Sequence, residues 1–183
     1  MMQEKVFPLL NECNFASVKP IMMELPYPSI QVREKNQSHA ELLSIDYCGS
    51  VSEMSAITQY INNENHLSLE KCSAAKTILG IAMAEMIHLQ KLGQLILLLG
   101  GSVDFVARYR DGRQKMWTPQ YLRFTENPRE MMLGGIEDEK AAIEQYSIHM
   151  KRINDDGVNA ILARIIKDEE YHIMLLQALA NEV

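Results

Sequence analysis

Two stretches decide how this chain reads: IAMAEMIHLQKL at residues 81–92 and IIKDEEYHIMLL at residues 165–176. They share an isoleucine, a glutamate, a histidine three residues after it and a final leucine. Each writes Glu-x-x-His inside an apolar stripe, with Glu85 and His88 in the first and Glu169 and His172 in the second. The spacing of Ile78, Ile81, Leu92 and Leu95, and of Leu162, Ile165, Ile166, Ile173 and Leu176, is that of two helix faces. Glu170 falls outside its stripe. A buried strand at LILLLGG (95–101) feeding a nucleotide loop is excluded, because no G-x-G-x-x-G follows.

A second repeat accompanies the first. EMSAITQY (53–60) and EKAAIEQY (139–146) agree at Glu, Ala, Ile, Gln and Tyr. On a helix, i+7 returns to nearly the same face. Glu53 thus shares a face with Ile57 and Tyr60. Glu139 sits centrally among Met132, Ile136, Ile143, Tyr146 and Met150, with Glu137 and Asp138 off the stripe. Glu53 precedes Glu85 by 32 residues and Glu139 precedes Glu169 by 30, so the halves read as two copies of one helical hairpin.

Four helices follow. The first opens at Ser38, with Glu41 completing a capping box, and runs to about Asn63 through Gly49. The second runs from near Ser68 to Leu99, where Gly100 and Gly101 stop it. The third opens at Asn127 with Pro128 at its first position and ends near Ile153. The fourth runs from about Gly157 to Ala180. Short turns join the first pair and the last pair. A long, aperiodic crossover (101–127) joins the second helix to the third, and Trp117 is expected to anchor it. The expected fold is all-α: a four-helix bundle with one long crossover between helices 2 and 3, occupying residues 38–183. Residues 1–37 hold four of the six prolines and read as an extended N-terminal arm with room for one short strand.

The chain has 183 residues, 47% apolar and 23% charged, enough for one domain with a core. Its net charge of −6 and the lack of a basic cluster speak against nucleic acid. The longest apolar run, LILLL, is too short to cross a bilayer. MMQEKVFPLL lacks a signal-peptide pattern. Cys13, Cys48 and Cys72 are scattered, odd in number and form no C-x-x-C, which argues against a disulfide framework, a zinc ribbon or a rubredoxin-type iron site and fits a reducing cytoplasm.

Each helix places one carboxylate inside the bundle. Uncompensated buried charges cost several kcal/mol each, comparable together to the whole stability of a domain. Two divalent cations balance four ionised glutamates. The ligand set is then Glu53, Glu85, His88, Glu139, Glu169 and His172, all oxygen or imidazole nitrogen, which suits two iron or two manganese ions. One Glu from each of two helices, with Glu-x-x-His from each of the other two, is the described dinuclear carboxylate pattern. Tyr60 and Tyr146 read either as plain core aromatics or as phenols that steady a ligand carboxylate one heptad away. Asp168 either orients an imidazole or faces solvent, and Asp46 is open in the same way. His39, His66 and His149 have no motif around them and read as capping or surface residues.

These residues resemble the ferritin-like superfamily, which includes bacterioferritin, rubrerythrin and manganese catalase, over roughly residues 38–182. ELPYPSIQV, SEMSAITQY and INDDGVNAILARIIKDEEYH are more similar to the manganese catalase branch. The resemblance implies a dinuclear iron or manganese oxidoreductase acting on hydrogen peroxide or dioxygen, catalase- or peroxidase-like. Glu85 and Glu169 would be the bridging carboxylates. It also implies a homo-oligomer such as a dimer, and an external electron donor where the chemistry is reductive. The alternative is a ferroxidase or iron-handling protein, and a structural coat role ranks last. The fifth helix of ferritin cages and the rubredoxin module of a full rubrerythrin have no counterpart in these residues. Ile136 and Ala142 stand where rubrerythrin's extra glutamate would lie near Glu139.

Overall fold

The computed structural model describes residues 13–183. In chain order these form α1 (Gln37–Cys48), α2 (Glu53–Leu67), α3 (Cys72–Leu98), β1 (Val106–Arg108), β2 (Gln114–Met116), a 3-10 turn (Pro119–Tyr121), α4 (Pro128–Arg152) and α5 (Asp156–Glu182). Helices α2 to α5 make the bundle, with α2 against α3 and α4 against α5 as the two hairpins. The ferritin-like arrangement expected from the two repeats is the one observed.

The first expected helix is two. Gly49 does not continue it. Its N–H closes α1 onto the Ile45 carbonyl at 2.7 Å, and a side chain there would collide with that carbonyl. Ser52 then caps α2, its hydroxyl accepting from the Ser55 N–H at 3.2 Å. The capping box at Ser38 and Glu41 does not form. Asn36 caps α1 instead, accepting from the His39 N–H. Helix α3 begins at Cys72 rather than Ser68, because residues 68–70 close a turn on Glu64 and Leu67. Asn127 and Pro128 open α4 as expected, and Asp155 caps α5 through Gly157 and Val158.

The core falls into two apolar clusters. One gathers Leu42, Leu43, Leu92, Leu95, Ile96, Ile161, Leu162 and Ile165. The other gathers Tyr60, Ile78, Ile81, Met131, Met132 and Leu176. Along α3 and α5, Glu85 with His88 and Asp168 with Glu169 and His172 lie between them. Helix α3 alone among the described helices is long and apolar enough to cross a membrane, yet half of its most apolar stretch is buried inside the bundle.

The crossover carries a β-hairpin. β1 and β2 pair antiparallel, with Val106 opposite Met116 and Arg108 opposite Gln114. Asp111–Gly112 makes the turn, with Gly112 at φ +82°. Trp117 anchors the segment as expected, its Nε1–H donating to the Ser55 hydroxyl at 3.1 Å.

Among the described residues 13–36 the arm has no strand; its residues 1–12 lie outside the description. It runs extended across α3 and α5. The Ile21 N–H donates to the Gly80 carbonyl at 2.9 Å, an approach that a side chain at residue 80 would obstruct. Cys13 is joined to Cys72 at the start of α3 by a disulfide, while Cys48 is free and buried. This disulfide runs against the expectation drawn from three scattered cysteines. Cys13 and Cys72 are 59 residues apart, and only the path of the arm brings them together. Cysteine usage therefore no longer argues for a reducing compartment.

Candidate metal centre

The break at 49–52 makes Glu53 the first residue of α2, where the helix dipole favours a carboxylate. Glu139 comes from the middle of α4. Glu85 with His88 and Glu169 with His172 come from the middles of α3 and α5. All six are 3% exposed or less. Their ligand atoms form two groups, Glu53, Glu85, His88, Glu169 and Glu85, Glu139, Glu169, His172, with all atoms of a group within 4.8 Å of one another. Glu85 and Glu169 belong to both groups. Every residue named from the paired motifs is therefore brought to one place.

The ring nitrogens that face the centre follow from the partners of the others. His172 Nε2 lies 2.8 Å from the Ile21 carbonyl. A carbonyl only accepts, so Nε2 carries the hydrogen, and the neutral ring turns the Nδ1 lone pair inward. Nδ1 then lies 3.0 Å from Glu85 Oε1 and 3.1 Å from Glu169 Oε2. His88 Nε2 is 3.1 Å from Asp168 Oδ2. Asp168 is itself held ionised. Although burial opposes this, His88, Arg164 and Tyr27 draw its pKa down to about 2. His88 Nδ1 then faces Glu85 Oε2 at 2.8 Å.

The described residues do not satisfy this cluster by themselves. Among them Glu85 Oε1, Glu169 Oε2 and His172 Nδ1 are buried without a hydrogen-bond partner, although His172 Nδ1 lies 3.0 and 3.1 Å from the two oxygens. Burial and the neighbouring Glu85 raise Glu53 well above the carboxylate range. Burial with Glu169 and Glu85 raises Glu139 to about 8. Burial would lower both histidines, but the surrounding carboxylates raise them well above the usual imidazole value. Glu85, in spite of its burial, is held low by His88 and His172. Without cations the cluster must take up protons. Four carboxylates and two inward lone pairs, shared as two overlapping sets, fit a dinuclear metal site.

The phenols are exchanged between halves. Tyr60 of α2 donates to Glu139 of α4, and Tyr146 of α4 donates to Glu53 of α2. Both rings are buried, and each phenol meets a glutamate of the cluster. The pairing within one heptad does not form. A residue seven places on faces the same side but stands about 10 Å further along the axis, and the opposing helix supplies the glutamate instead. The glutamine before each tyrosine also has a role. Gln59 binds both the N–H and the carbonyl of Arg123, and Gln145 donates to the Val51 carbonyl exposed by the helix break and to Asp46.

Sequence reading left several partners open. Asp168 is fully buried and orients an imidazole, that of His88 on α3 rather than His172 on its own helix. It also accepts from the Met23 N–H and the Tyr27 hydroxyl, and it forms an ion pair with Arg164 at 2.7 Å. Tyr27 lies in the quoted ELPYPSIQV, but nothing local says that the arm folds back over the histidines. Asp46 is buried against His149 at 2.8 Å and Gln145, so His149 is a buried partner rather than a cap. A cavity of about 50 Å³ opens from the cluster between α2 and α4, bounded by Ala56, Ala142, Gln145, Asp138, Tyr121 and Leu122.

Among solved structures, a manganese catalase from Anabaena superposes with a TM-score of 0.76 at 22% identity, covering 88% of this chain and 80% of that one. A bacterioferritin from Rhodobacter capsulatus, solved with its dinuclear site metal-free, gives 0.66 at 24% identity, covering 79% and 84%. A bacterioferritin from Mycobacterium tuberculosis gives 0.63 at 21%, covering 81% and 87%. These likenesses establish the ferritin-like fold. No curated protein matches the chain by sequence. The rubrerythrin family model matches residues 49–180, from the helix break to the last turns of α5 and so across every glutamate and histidine of the cluster, and the chain belongs to that family.

Proposed function

We propose that the protein is a dinuclear iron or manganese oxidoreductase acting on hydrogen peroxide or dioxygen. Glu53, Glu85, His88 and Glu169 would hold one ion and Glu85, Glu139, Glu169 and His172 the other, with Glu85 and Glu169 common to both groups. When bound, such a pair supplies a two-electron change to a peroxide or dioxygen. The chain's own groups do the rest. Tyr60 and Tyr146 hold the terminal carboxylates, Asp168 and the Ile21 carbonyl fix the imidazoles, and the two apolar clusters exclude bulk water from either side.

The observation that carries this reading is the cluster's duplicated, shared donor set opening onto a cavity that fits a molecule of a few atoms. The mouth also favours an uncharged oxidant over iron(II) as the substrate that enters. Among the described residues Asp138 is the one acidic residue lining it outside the cluster, and the Arg123 guanidinium lies 2.6 Å from it, which offsets the attraction a cation would feel.

The test is metal identity, measured on protein purified without added metal, alongside peroxide consumption with and without a reductant. Consumption without a donor marks catalase-type chemistry and fits manganese. Consumption only with a donor marks a peroxidase and fits iron. Iron(II) oxidation with many irons accumulated per chain, and no peroxide consumption, would replace this reading with ferroxidase or storage.

A further inference from the structure

The crossover passes over the open side of the centre and is fastened on both flanks of the cavity. Before the cavity, Trp117 Nε1–H donates to Ser55 of α2 at 3.1 Å. After it, the Arg123 backbone is bound twice by Gln59 of α2, at 2.8 and 2.9 Å. The Arg123 guanidinium reaches across to α4, to the Gly134 carbonyl and Asp138, both at 2.6 Å. Between these anchors, half-buried Tyr121 and Leu122 close the cavity from outside. Inside, Ala56 and Ala142 stand three residues after Glu53 and Glu139, so both helices keep small side chains where the cavity meets the cluster. The space left is about 50 Å³. A cavity of about 150 Å³ takes up benzene, roughly three times the space found here. Hydrogen peroxide and dioxygen fit, and a hydroperoxide carrying a phenyl or branched alkyl group does not.

We propose that the segment from Trp117 to Arg123 is a size filter, with Leu122 and Tyr121 as its specificity-determining residues, that restricts the centre to two-heavy-atom oxidants and excludes organic hydroperoxides. This rests on the oxidoreductase reading and narrows its substrate class. A strap tied to α2 and α4 by six hydrogen bonds is a fixed wall rather than a lid, so discrimination is built in before any substrate arrives.

Leu122→Ala and Tyr121→Ala, each made separately, test it by two routes. The first is the ratio of kcat/KM for cumene hydroperoxide to that for hydrogen peroxide, expected to rise about tenfold or more in at least one variant. The second is independent of turnover. In cobalt(II)-loaded protein the visible bands report ligand binding, with azide as the small probe and benzohydroxamate as the bulky one. Wild type is expected to bind azide and to bind benzohydroxamate about tenfold more weakly than the variants do. Trp117 is the only tryptophan, so its emission shows whether the strap stays docked. Unchanged emission with gained access is the expected result. A wild-type protein that takes cumene hydroperoxide or benzohydroxamate as readily as both variants overturns the filter. Absence of any peroxide turnover would instead overturn the oxidoreductase reading, and the cobalt spectra would still decide the filter.

Discussion

The hydroxyl of Tyr60 on α2 is bound to the carboxylate of Glu139 on α4, and its counterpart Tyr146 on α4 is bound to Glu53 on α2. The two hairpins, copies in sequence, are thus cross-linked at the centre by an exchange of hydrogen bonds. Removing one donor leaves a buried carboxylate short of a partner. Tyr60→Phe and Tyr146→Phe should each lower stability by about 1–3 kcal/mol, read by urea unfolding. A double-mutant cycle shows the exchange directly. Tyr60→Phe should couple more strongly with Glu139→Gln than with Glu53→Gln. Stronger coupling to Glu53 would refute the crossed arrangement.

Asp168 gathers four partners in a site with no exposure: His88, Tyr27, Arg164 and the Met23 N–H. Asp168→Ala removes the counter-charge of buried Arg164, which keeps its bonds to the Met23 and Leu25 carbonyls, and frees the His88 ring. A loss of about 3–5 kcal/mol is expected, with weakened metal retention by the His88 half of the centre. A loss under about 1 kcal/mol would mean that the arm contributes little to the fold or the site.

The Cys13–Cys72 disulfide ties the arm to α3. Thiol titration of the denatured, unreduced protein should find one thiol per chain, Cys48, and three after reduction. Reduction should lower stability by about 2–4 kcal/mol, as for a long closed loop. Three thiols before reduction would remove the tether.

Metal-free protein should lose stability as pH rises from about 5 to 8.5, given ordinary unfolded values near 4.3 for Glu and 6.5 for His. Glu139, raised to about 8, and Glu53, also raised, bind protons in the folded state that the unfolded state has released. His88 and His172, raised above their usual value, add to this as pH passes it. Glu85, held low, is ionised in both states over this range and contributes nothing. The folded state therefore binds more protons, and stability falls with pH. Metal binding displaces those protons, so stabilisation by metal should grow over the same range. Melting temperatures of both forms measure this. A metal-free form that gains stability with rising pH would contradict the protonated cluster.

The cluster of four glutamates and two histidines was legible in the sequence because it lies on long apolar helix faces, where a charge is conspicuous and helical period fixes direction. The bundle and its crossover followed from the same two repeats. Contacts made by irregular backbone were not legible. The Ile21 carbonyl that holds His172 leaves no trace in residue type, and Cys13 meets Cys72 only through the course of the arm. Two signals were present and outweighed by broader patterns. Gly49 followed by Ser52 marked the helix break, and Asp111–Gly112 marked the hairpin. The crossed phenols escaped because seven residues return to the same face of a helix but not to the same height.

The most direct test of the centre is metal content per chain in the purified protein and in Glu169→Gln. Glu169 belongs to both ligand groups, so two transition-metal ions per chain are expected in the wild type. Both should be lost or weakened together in the variant, with a lowered melting temperature. Fewer than one ion per chain in wild-type protein after reconstitution with iron(II) or manganese(II), or a variant that still holds two ions as tightly, would contradict a dinuclear centre that shares Glu85 and Glu169.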